Sequence, residues 1–369
     1  MTERPIPLVD LALAHERVAE AISAGMQEVL ATTSFVLGPA VTRFEEEFAR
    51  YCGVSECLGV ANGTDAIELA LRGLGIGAGD QVIIPANTFV ATAEAVVRAG
   101  AEVVLADATE DYLIDPASVK ERLTPATRAV IGVHLYGQMA PMEELRAVLP
   151  DDVLLVEDAA QSQGASRFGA RAGSVGDVTG TSFYPGKNLG AYGDAGAVLT
   201  PNAEVAERIR AIRNHGGVRR YEHTLMGVNS RMDSLQAAVL SAKLEVLDEW
   251  NAERRAAATL YADLLADVAG VEVPVIAAGN EHVWHLYVVQ VAERDRVLAD
   301  LGAAGIGAGI HYPLPVHLLP AFAHLGHQRG DFPVSEAACD RILSLPLFPG
   351  ITEEQQVRVV SVLTSSLGN

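Results

Sequence analysis

The segment that organises this sequence is GTSFYPGKNLGAYGDAGAVL, residues 180–199. Its single lysine, Lys187, follows Pro185 and Gly186 and stands between two apolar stretches typical of buried strands, the second at residues 195–199. An ammonium group on a short turn between buried strands is poorly solvated, and desolvation lowers its pKa. The segment therefore predicts a lysine that can act as a nucleophile.

Earlier in the chain, a carboxylate also follows an apolar run that is typical of a buried strand. The apolar run at residues 153–156 ends in EDAAQ, residues 157–161, and a charge at the end of a buried strand needs a cationic partner. Pyridoxal 5'-phosphate needs a lysine that holds its aldehyde as a Schiff base and an acid that keeps its pyridine nitrogen protonated. Lys187 and Asp158 supply this pair. Either residue alone would be read as a surface lysine or a helix cap, so the prediction depends on their joint placement.

Composition limits the class of protein. The chain has 369 residues, 49% of them hydrophobic and 20% charged, which predicts a soluble globular protein of two to three domains. A formal net charge of −20 disfavours binding to nucleic acids and to anionic membranes. No spanning segment and no signal peptide are recognised, so a cytoplasmic location is expected. The three cysteines and the scattered histidines lack the spacing of a disulfide framework or a metal site.

Strands and helices alternate regularly in the first half of the chain. The predicted strands are residues 81–84, 102–106, 128–133 and 153–157, and the predicted helices are residues 88–99, 116–123 and 141–149. Such alternation predicts an α/β fold with a largely parallel sheet flanked by helices. Ligands of these sheets bind beyond the carboxyl ends of the strands, where Asp158 and Phe89 fall. Phe89 could stack on a planar ring there or could be an ordinary core residue.

A second candidate ligand site lies at residues 60–65, before a helix predicted at residues 66–74. Gly63 and Thr64 at this helix start are assigned to a cofactor phosphate, because free backbone N–H groups and the helix dipole favour an anion there. Simple capping of the helix by Thr64 or Asp65 is the alternative. The glycines at 73, 75, 77 and 79 lack the strand-before-helix context of a dinucleotide fingerprint and predict a helix end and a turn.

The later part of the chain is predicted to carry a substrate loop and a smaller domain. Arginines and histidines concentrate at residues 208–223, where Gly216 and Gly217 predict a flexible loop that contacts an anionic substrate. A helical pattern at residues 232–265 leads out of the sheet domain. Further elements are a strand at 283–291 and helices at 295–304, 336–343 and 353–363. We expect a large domain at residues 1–245 and a small domain at residues 246–369, with packing of the first ~30 residues against the small domain as an alternative for that segment.

Nine short stretches together resemble the DegT/DnrJ/EryC1/StrS family of sugar aminotransferases. They are residues 35–39, 62–66, 85–89, 134–138, 157–161, 182–188, 213–216, 229–233 and 309–313. The resemblance covers nearly the whole chain. It implies the fold type I architecture of pyridoxal phosphate enzymes, with a large domain of mostly parallel sheet and a smaller C-terminal α+β domain.

The resemblance also implies cofactor contacts. Lys187 would form the Schiff base and carry the proton between substrate and cofactor, which would alternate with pyridoxamine 5'-phosphate. Asp158 would pair with the pyridine nitrogen and Gln161 would lie near the ring hydroxyl. The other implied cofactor residues are Phe89 on the ring, Gly63, Thr64 and Ser182 at the phosphate, and Asn229 reaching that phosphate from the partner subunit of a homodimer with shared active sites.

On the substrate side, the resemblance implies L-glutamate as amino donor and a nucleotide-linked ketosugar as acceptor. The implied substrate residues are Tyr184, His311 and Tyr312 at the sugar, and Arg219 or Arg220 at the nucleotide diphosphate. Lysine at 187, where dehydrating members carry histidine, favours transamination. Gln161 and the sequence HLYGQ at 134–138 resemble the branch that acts on dTDP-linked 3-keto-6-deoxy sugars.

Two alternative functions stay open, and two other enzyme classes are excluded because their motifs do not match this sequence. A 4-keto sugar or keto-cyclitol aminotransferase of the same family, and a cofactor-binding sensor without turnover, are the alternatives. A P-loop needs four residues between its glycines and a hydroxyl residue after the lysine, whereas this chain has five and Asn188. A serine hydrolase motif would need a second glycine where Tyr184 stands.

Overall fold

The computed structural model describes residues 4–219 and 221–368, which form helices and strands in alternation through the first half of the chain. The helices are α1 Leu11–Thr32, α2 Pro39–Cys52, α3 Gly63–Gly73, α4 Val90–Ala99, α5 Pro116–Arg122, α6 Met142–Val148, α7 Ala203–Ile212, α8 Ser234–Leu244, α9 Leu247–Leu265, α10 Arg294–Ala303, α11 Pro333–Arg341 and α12 Glu353–Ser366. The strands are β1 Glu56–Val60, β2 Gln81–Pro85, β3 Glu102–Ala106, β4 Thr127–Val133, β5 Leu154–Asp158, β6 Ser166–Arg167, β7 Ala170–Arg171, β8 Val178–Ser182, β9 Gly196–Thr200, β10 Gly217–Arg219, β11 Glu222–His223, β12 Val271–Glu272, β13 Asn280–Glu281, β14 Tyr287–Val291 and β15 Ile342–Leu345.

Seven strands form the central sheet in the order β1-β9-β8-β5-β4-β2-β3. The pairs from β3 across to β8 are parallel, whereas β9 runs antiparallel to β8 and β1 runs antiparallel to β9. The predicted parallel sheet is therefore present, with an antiparallel edge. Strand β8 runs parallel to β5, so the two strands end at the same edge of the sheet. The turn at residues 183–195 follows β8, and the lysine therefore lies at the carboxyl end of β5.

Helices cover both faces of the sheet, and β2 shows why. Its successive side chains alternate between faces. Ile84 packs in one cluster with Val96 of α4 and Ile209 of α7. Ile83 packs in another with Val119 of α5 and Leu145 of α6. Strands that are buried on both faces read as continuous apolar runs, which is why their positions could be predicted.

The C-terminal part builds a separate three-stranded antiparallel sheet, in the order β12-β14-β15. A hydrophobic cluster joins it to α9, α10 and α12. Ile6 belongs to this cluster, and its backbone exchanges hydrogen bonds with Gly305 and Gly307 at 2.9 and 2.7 Å. The N-terminal segment thus packs with the C-terminal sheet. The domain division at residues 245 and 246 stays a prediction; the break between α8 and α9 lies at the same two residues.

Several local predictions were wrong, among them the strand at residues 283–291, of which only Tyr287–Val291 forms strand β14. Residues 232–265 form two helices, and residues 342–343, predicted as helix, begin strand β15. Within the predicted flexible loop, Gly217–Arg219 and Glu222–His223 form the short antiparallel pair β10–β11. Arg213, within the predicted substrate segment, is buried and pairs with Glu45 at 2.6 Å. Within the described ranges, no helix has both the length and the apolar character that crossing a bilayer requires.

Candidate active site

A cavity of about 700 Å³ opens between the carboxyl ends of β4, β5 and β8 and the start of α3. Most of the predicted site residues line it. These are Gly63, Thr64, Phe89, Asp158, Gln161, Ser182, Tyr184, Lys187, His311 and Tyr312. A cavity of this size at the strand ends of an α/β sheet is the usual position and volume of a small-molecule site.

Lys187 lies on a tight turn between β8 and β9. Its backbone N–H donates to the Tyr184 carbonyl oxygen at 2.8 Å. A Cβ atom at Gly190 would lie 2.3 Å from the carbonyl oxygen of Pro185, so the turn depends on a glycine at that position. Packing around the amine lowers the pKa of Lys187 to about 8, because desolvation outweighs the opposite effect of the Asp158 charge. Roughly a tenth of the amine is therefore neutral at pH 7, far more than for an ordinary lysine.

Asp158 ends β5 with its side chain almost fully buried. Its Oδ2 accepts from the Thr92 hydroxyl at 2.8 Å, and its Oδ1 accepts from the Ala160 N–H at 3.1 Å. Burial raises the pKa of Asp158, and both hydrogen bonds oppose that change. A buried carboxylate with few donors is suited to a cation supplied by a ligand.

The neighbouring Glu157 is a different case, because its carboxylate is saturated by the protein. His134 Nδ1 accepts from the Ala140 N–H at 3.0 Å, so its proton is on Nε2, which donates to Glu157 at 2.8 Å. Burial raises the pKa of Glu157, but His134 and the N–H groups of Gly173 and Gly176 outweigh it, and the pKa is lowered. Adjacent strand residues point to opposite faces, so Glu157 fixes the strand while Asp158 lines the cavity.

The start of α3 forms a cradle for an anion. Asn62, rather than the predicted Thr64 or Asp65, caps this helix: its Oδ1 accepts from the Asp65 N–H at 2.8 Å. The first amides of a helix have no partner within it and favour an anion. A Cβ atom on Gly63 would lie 2.5 Å from the Cβ of Ser182, so helix and strand approach closely only because residue 63 is glycine. The alternative of simple capping by Thr64 or Asp65 is wrong.

Aromatic and amide groups form the opposite wall. Phe89 is 49% exposed, which rules out its alternative reading as a core residue. Its ring centroid lies 4.9 Å from that of Tyr312. Gln161 joins this wall, since its Nε2 donates to the Tyr312 hydroxyl at 3.1 Å and its Oε1 accepts from the Tyr136 N–H at 2.7 Å. The pKa of Tyr312 is raised by burial, so its hydroxyl stays protonated.

His311 and Tyr184 also line the cavity. His311 Nδ1 lies 2.8 Å from the Ser344 hydroxyl. Burial, with a smaller effect of the Lys187 charge, lowers the pKa of His311 to about 4, so its imidazole is neutral. Tyr184 is 59% exposed beside the lysine turn. Neutral imidazole and phenol groups suit hydroxyl groups better than charged ligands.

Three predicted residues are not brought into the cavity of this chain. Asn229 is exposed, and its backbone forms a bridge to Asn214. Arg219 is exposed on β10. Arg220 lies outside the described residues. The predicted roles of all three in phosphate or nucleotide binding stay predictions.

The cavity fits pyridoxal phosphate. A desolvated lysine, a buried acid held by only two hydrogen bonds and an anion cradle converge on it, as that cofactor requires. Sequence reasoning missed Thr92 and His134, which hold the two carboxylates. The signal for His134 was its place directly after the apolar run 129–133, at a strand end. Thr92 lies inside a helix and offered no such signal.

Comparison with known proteins agrees with this geometry. The model of the DegT/DnrJ/EryC1/StrS aminotransferase family matches residues 16–364. The chain is 44% identical over 360 residues to dTDP-3-amino-3,4,6-trideoxy-alpha-D-glucose transaminase of Streptomyces venezuelae, covering 97% of this chain and 95% of that one. It is 42% identical over 360 residues to dTDP-3-amino-3,6-dideoxy-alpha-D-galactopyranose transaminase of Aneurinibacillus thermoaerophilus, covering 97% and 98%.

The crystal structure of DesV from S. venezuelae matches with a TM-score of 0.96 and 43% identity over 98% of both chains. The predicted fold type I architecture is thereby confirmed. Sequence, fold and cavity lead to one conclusion: the chain belongs to the DegT/DnrJ/EryC1/StrS aminotransferase family and is a pyridoxal phosphate-dependent enzyme.

Proposed function

We propose that this aminotransferase moves the amino group of L-glutamate to C3 of a dTDP-linked 3-keto-6-deoxy sugar. The observation that carries the proposal is the desolvated Lys187 amine in one cavity with Asp158 and the α3 anion cradle. The two transaminase relatives named above support the dTDP-sugar class and the C3 position, since both names describe 3-amino dTDP sugars. The product would be an amino sugar for a secondary metabolite or a surface glycan.

When bound, pyridoxal phosphate supplies a ring that accepts electrons from the carbon bearing the transferred nitrogen. In this proposal Asp158 holds the proton of the pyridine nitrogen, and Gly63, Thr64 and Ser182 hold the phosphate. Lys187 Nζ would bind the cofactor aldehyde. Once the donor amine has displaced it, the freed Nζ would take the proton from the donor carbon and pass it to the cofactor, and would later carry a proton from the cofactor to the sugar carbon. A pKa of about 8 suits a group that must take up and release a proton near neutral pH.

The remaining groups of the cavity bind and orient the ketosugar. His311 and Tyr312, both uncharged, would hydrogen-bond to hydroxyl groups of the sugar, and Tyr184 would close the exposed side. Arg219 or Arg220 would bind the nucleotide diphosphate through charge-assisted hydrogen bonds. We place the enzyme in the cytoplasm as a homodimer in which Asn229 reaches the phosphate of the partner subunit's site.

The test follows the visible absorption of the purified holoenzyme and the products of each half-reaction. We expect a band of lysine-bound cofactor that L-glutamate converts to the amine form, and an amino sugar when dTDP-3-keto-6-deoxyglucose is added. The Lys187→Ala variant should retain cofactor but lose transamination by at least about a thousandfold, because the proposal assigns the proton transfer at that carbon to the Lys187 amine.

Other outcomes separate the alternatives. Turnover of the 4-keto isomer or of a keto-cyclitol in place of the 3-keto sugar would contradict the assigned position. Cofactor binding without turnover of any of these ketones would favour a sensor. Normal transamination by the Lys187→Ala variant would contradict the role of the lysine.

A further inference from the structure

A chain of buried amide groups lies directly behind the lysine turn. Asn188, which follows Lys187, donates through Nδ2 to Asn251 Oδ1 and to the Val283 carbonyl oxygen, both at 2.9 Å. Asn251 in turn donates to the Gln163 carbonyl oxygen at 2.9 Å. This network joins the lysine turn, helix α9, the segment after β5 and the segment before β14.

His285 completes the network. Its Nδ1 lies 3.2 Å from Asn188 Oδ1. Because the amide nitrogen of Asn188 is the donor to Asn251 and Val283, its oxygen must accept, and Nδ1 of His285 therefore carries the proton. The imidazole lines the same cavity as Lys187. Burial lowers the pKa of His285 well below its usual value, and the charge of Lys187 lowers it further, so the ring is neutral.

The backbone around His285 is held independently of the network. The Val283 N–H donates to the Gly137 carbonyl oxygen at 2.9 Å, and the Leu286 N–H donates to the Tyr136 carbonyl oxygen at 3.2 Å. Gly137 has φ +114°, and a Cβ atom there would lie 2.7 Å from the His285 backbone nitrogen. The imidazole is thus presented to Asn188 from a fixed support.

Gln163 anchors the other end of the network near Asp158. Its side-chain Nε2 lies 2.9 Å from the Thr181 hydroxyl and 3.0 Å from the Ser182 carbonyl oxygen. A Cβ atom on the next residue, Gly164 at φ +93°, would lie 2.6 Å from Asn251 Nδ2. The network therefore spans the ends of β5 and β8, and with them the two groups that must keep a fixed spacing around a cofactor ring.

We propose that His285 is a positioning residue that fixes the Lys187 turn through Asn188 and keeps water from the lysine amine. The inference rests on the proposed role of Lys187 as the cofactor lysine. The titratable groups around the imidazole are Lys187, His311, His282 and Arg254. If His285 is replaced by phenylalanine, Asn188 Oδ1 becomes a buried acceptor without a donor, and the turn must move to reach water.

The experiment titrates the lysine-bound cofactor band of the holoenzyme against pH. In His285→Phe we expect the midpoint to rise by at least about half a pH unit, since better solvation favours the protonated nitrogen. His285→Asn restores an N–H donor near the position of Nδ1 and should return the midpoint most of the way to the wild-type value. The kcat value should fall in His285→Phe and return most of the way to the wild-type value in His285→Asn. KM should not rise in either variant.

A matched control is available three residues away. His282 is also buried, with its ring stacked on Trp284 at 3.9 Å and its Nδ1 accepting from the Trp284 N–H at 2.8 Å. Within the described part of the chain, the side-chain hydrogen bonds of Asn188 go to Asn251, Val283 and His285 and not to His282. His282→Phe should lower thermal stability without moving the midpoint. An unchanged midpoint in His285→Phe, or an equal shift in both variants, would overturn the inference.

A second variant keeps the test decisive if His285→Phe does not fold. Asn251→Ala removes the network from the α9 side, where alanine is a good helix former, and the midpoint should again rise. An unchanged midpoint in this variant would also count against the inference. Failure of the proposed function looks different, because then the wild-type protein itself would show no lysine-bound cofactor band.

Discussion

At the scale of single residues, burial acts on the two central groups in opposite directions. It lowers the pKa of Lys187 and raises the pKa of Asp158, so burial favours the uncharged form of each. Their mutual attraction only partly offsets this effect. Because a pyridinium nitrogen would give Asp158 a cation at ion-pair distance, in addition to the more distant Lys187 charge, cofactor binding is expected to hold this carboxylate in its charged form.

The Asp158 carboxylate also depends on a short relay of hydroxyl groups. Thr92 uses its hydroxyl hydrogen for Asp158 and accepts from Thr88 at 2.8 Å, and both threonines are buried. Thr92→Val keeps the shape of the side chain but removes the donor. We expect kcat to fall about 10- to 100-fold, as for the loss of a buried hydrogen bond to a charged group.

Steady-state kinetics of the holoenzyme measures this effect. Thr92→Ser retains the hydroxyl and serves as the control, with activity within about threefold of wild type. A Thr92→Val enzyme that is fully folded and turns over at the wild-type rate would show that the hydrogen bond from Thr92 to Asp158 does not contribute to catalysis.

Sequence alone predicted the residues at strand ends and missed those that arrive by packing. Lys187 and Asp158 follow apolar runs, and the parallel arrangement of such runs brings their ends together. Thr92 comes from the first turn of helix α4, and His285 comes from a segment 127 residues after Asp158 in sequence. Their approach is set by how helices and the C-terminal segment pack, which local patterns do not encode.

At the scale of elements, the buried strands were predicted to within one residue at nearly every end, whereas the short surface strands were missed. Strand β2 and its neighbours are apolar on both faces and bounded by polar residues, which marks their limits. Strands β10 and β11 contain three and two residues, too few for any periodicity. Strand β15 continues the apolar spacing of α11, so its first residues were predicted as helix.

The contact between α3 and β8 yields a prediction at this scale. In Gly63→Ala, the new Cβ must displace Ser182, and the first turn of α3 must move away from β8. We expect the dissociation constant for pyridoxal phosphate to rise at least about tenfold, equivalent to about 1.4 kcal/mol of binding free energy. Fluorescence titration of the apo protein with the cofactor measures it.

Gly77→Ala is the matched control, because the nearest atom to a Cβ at Gly77 is the Ala99 carbonyl oxygen at 3.6 Å, an ordinary contact. This variant should bind the cofactor like wild type. Equal affinities of the two variants would mean that the α3 cradle does not hold the phosphate.

At the scale of the whole molecule, exposed apolar side chains suggest where a second subunit would bind. Apolar side chains are exposed around the β10–β11 pair and at the lysine turn, among them Tyr184, Tyr221 and Met226 at 59, 81 and 87%. Asn229 is exposed in the same stretch of chain and does not line the cavity of its own subunit. A homodimer would cover this surface and supply Asn229 to the other site, as the proposed function requires.

Subunit complementation tests this arrangement directly. Lys187→Ala inactivates the site that contains it, and Asn229→Asp places a negative charge beside the phosphate of whichever site Asn229 serves. Each homodimeric variant should therefore be inactive. In a purified hybrid dimer of the two variants, shared sites would leave one site with both native residues and the other with neither, so we expect about half of the wild-type activity per dimer.

The hybrid dimer distinguishes a shared active site from one that is complete within a single subunit, because the two arrangements predict opposite results. If Asn229 served its own subunit, each subunit of the hybrid would carry one inactivating change, and no activity would return. Two affinity tags, one on each variant, isolate the hybrid, and sedimentation confirms that it is a dimer. An inactive hybrid of well-folded subunits, or a wild-type protein that is active as a monomer, would contradict the shared site, because in either case each active site would be complete within one chain.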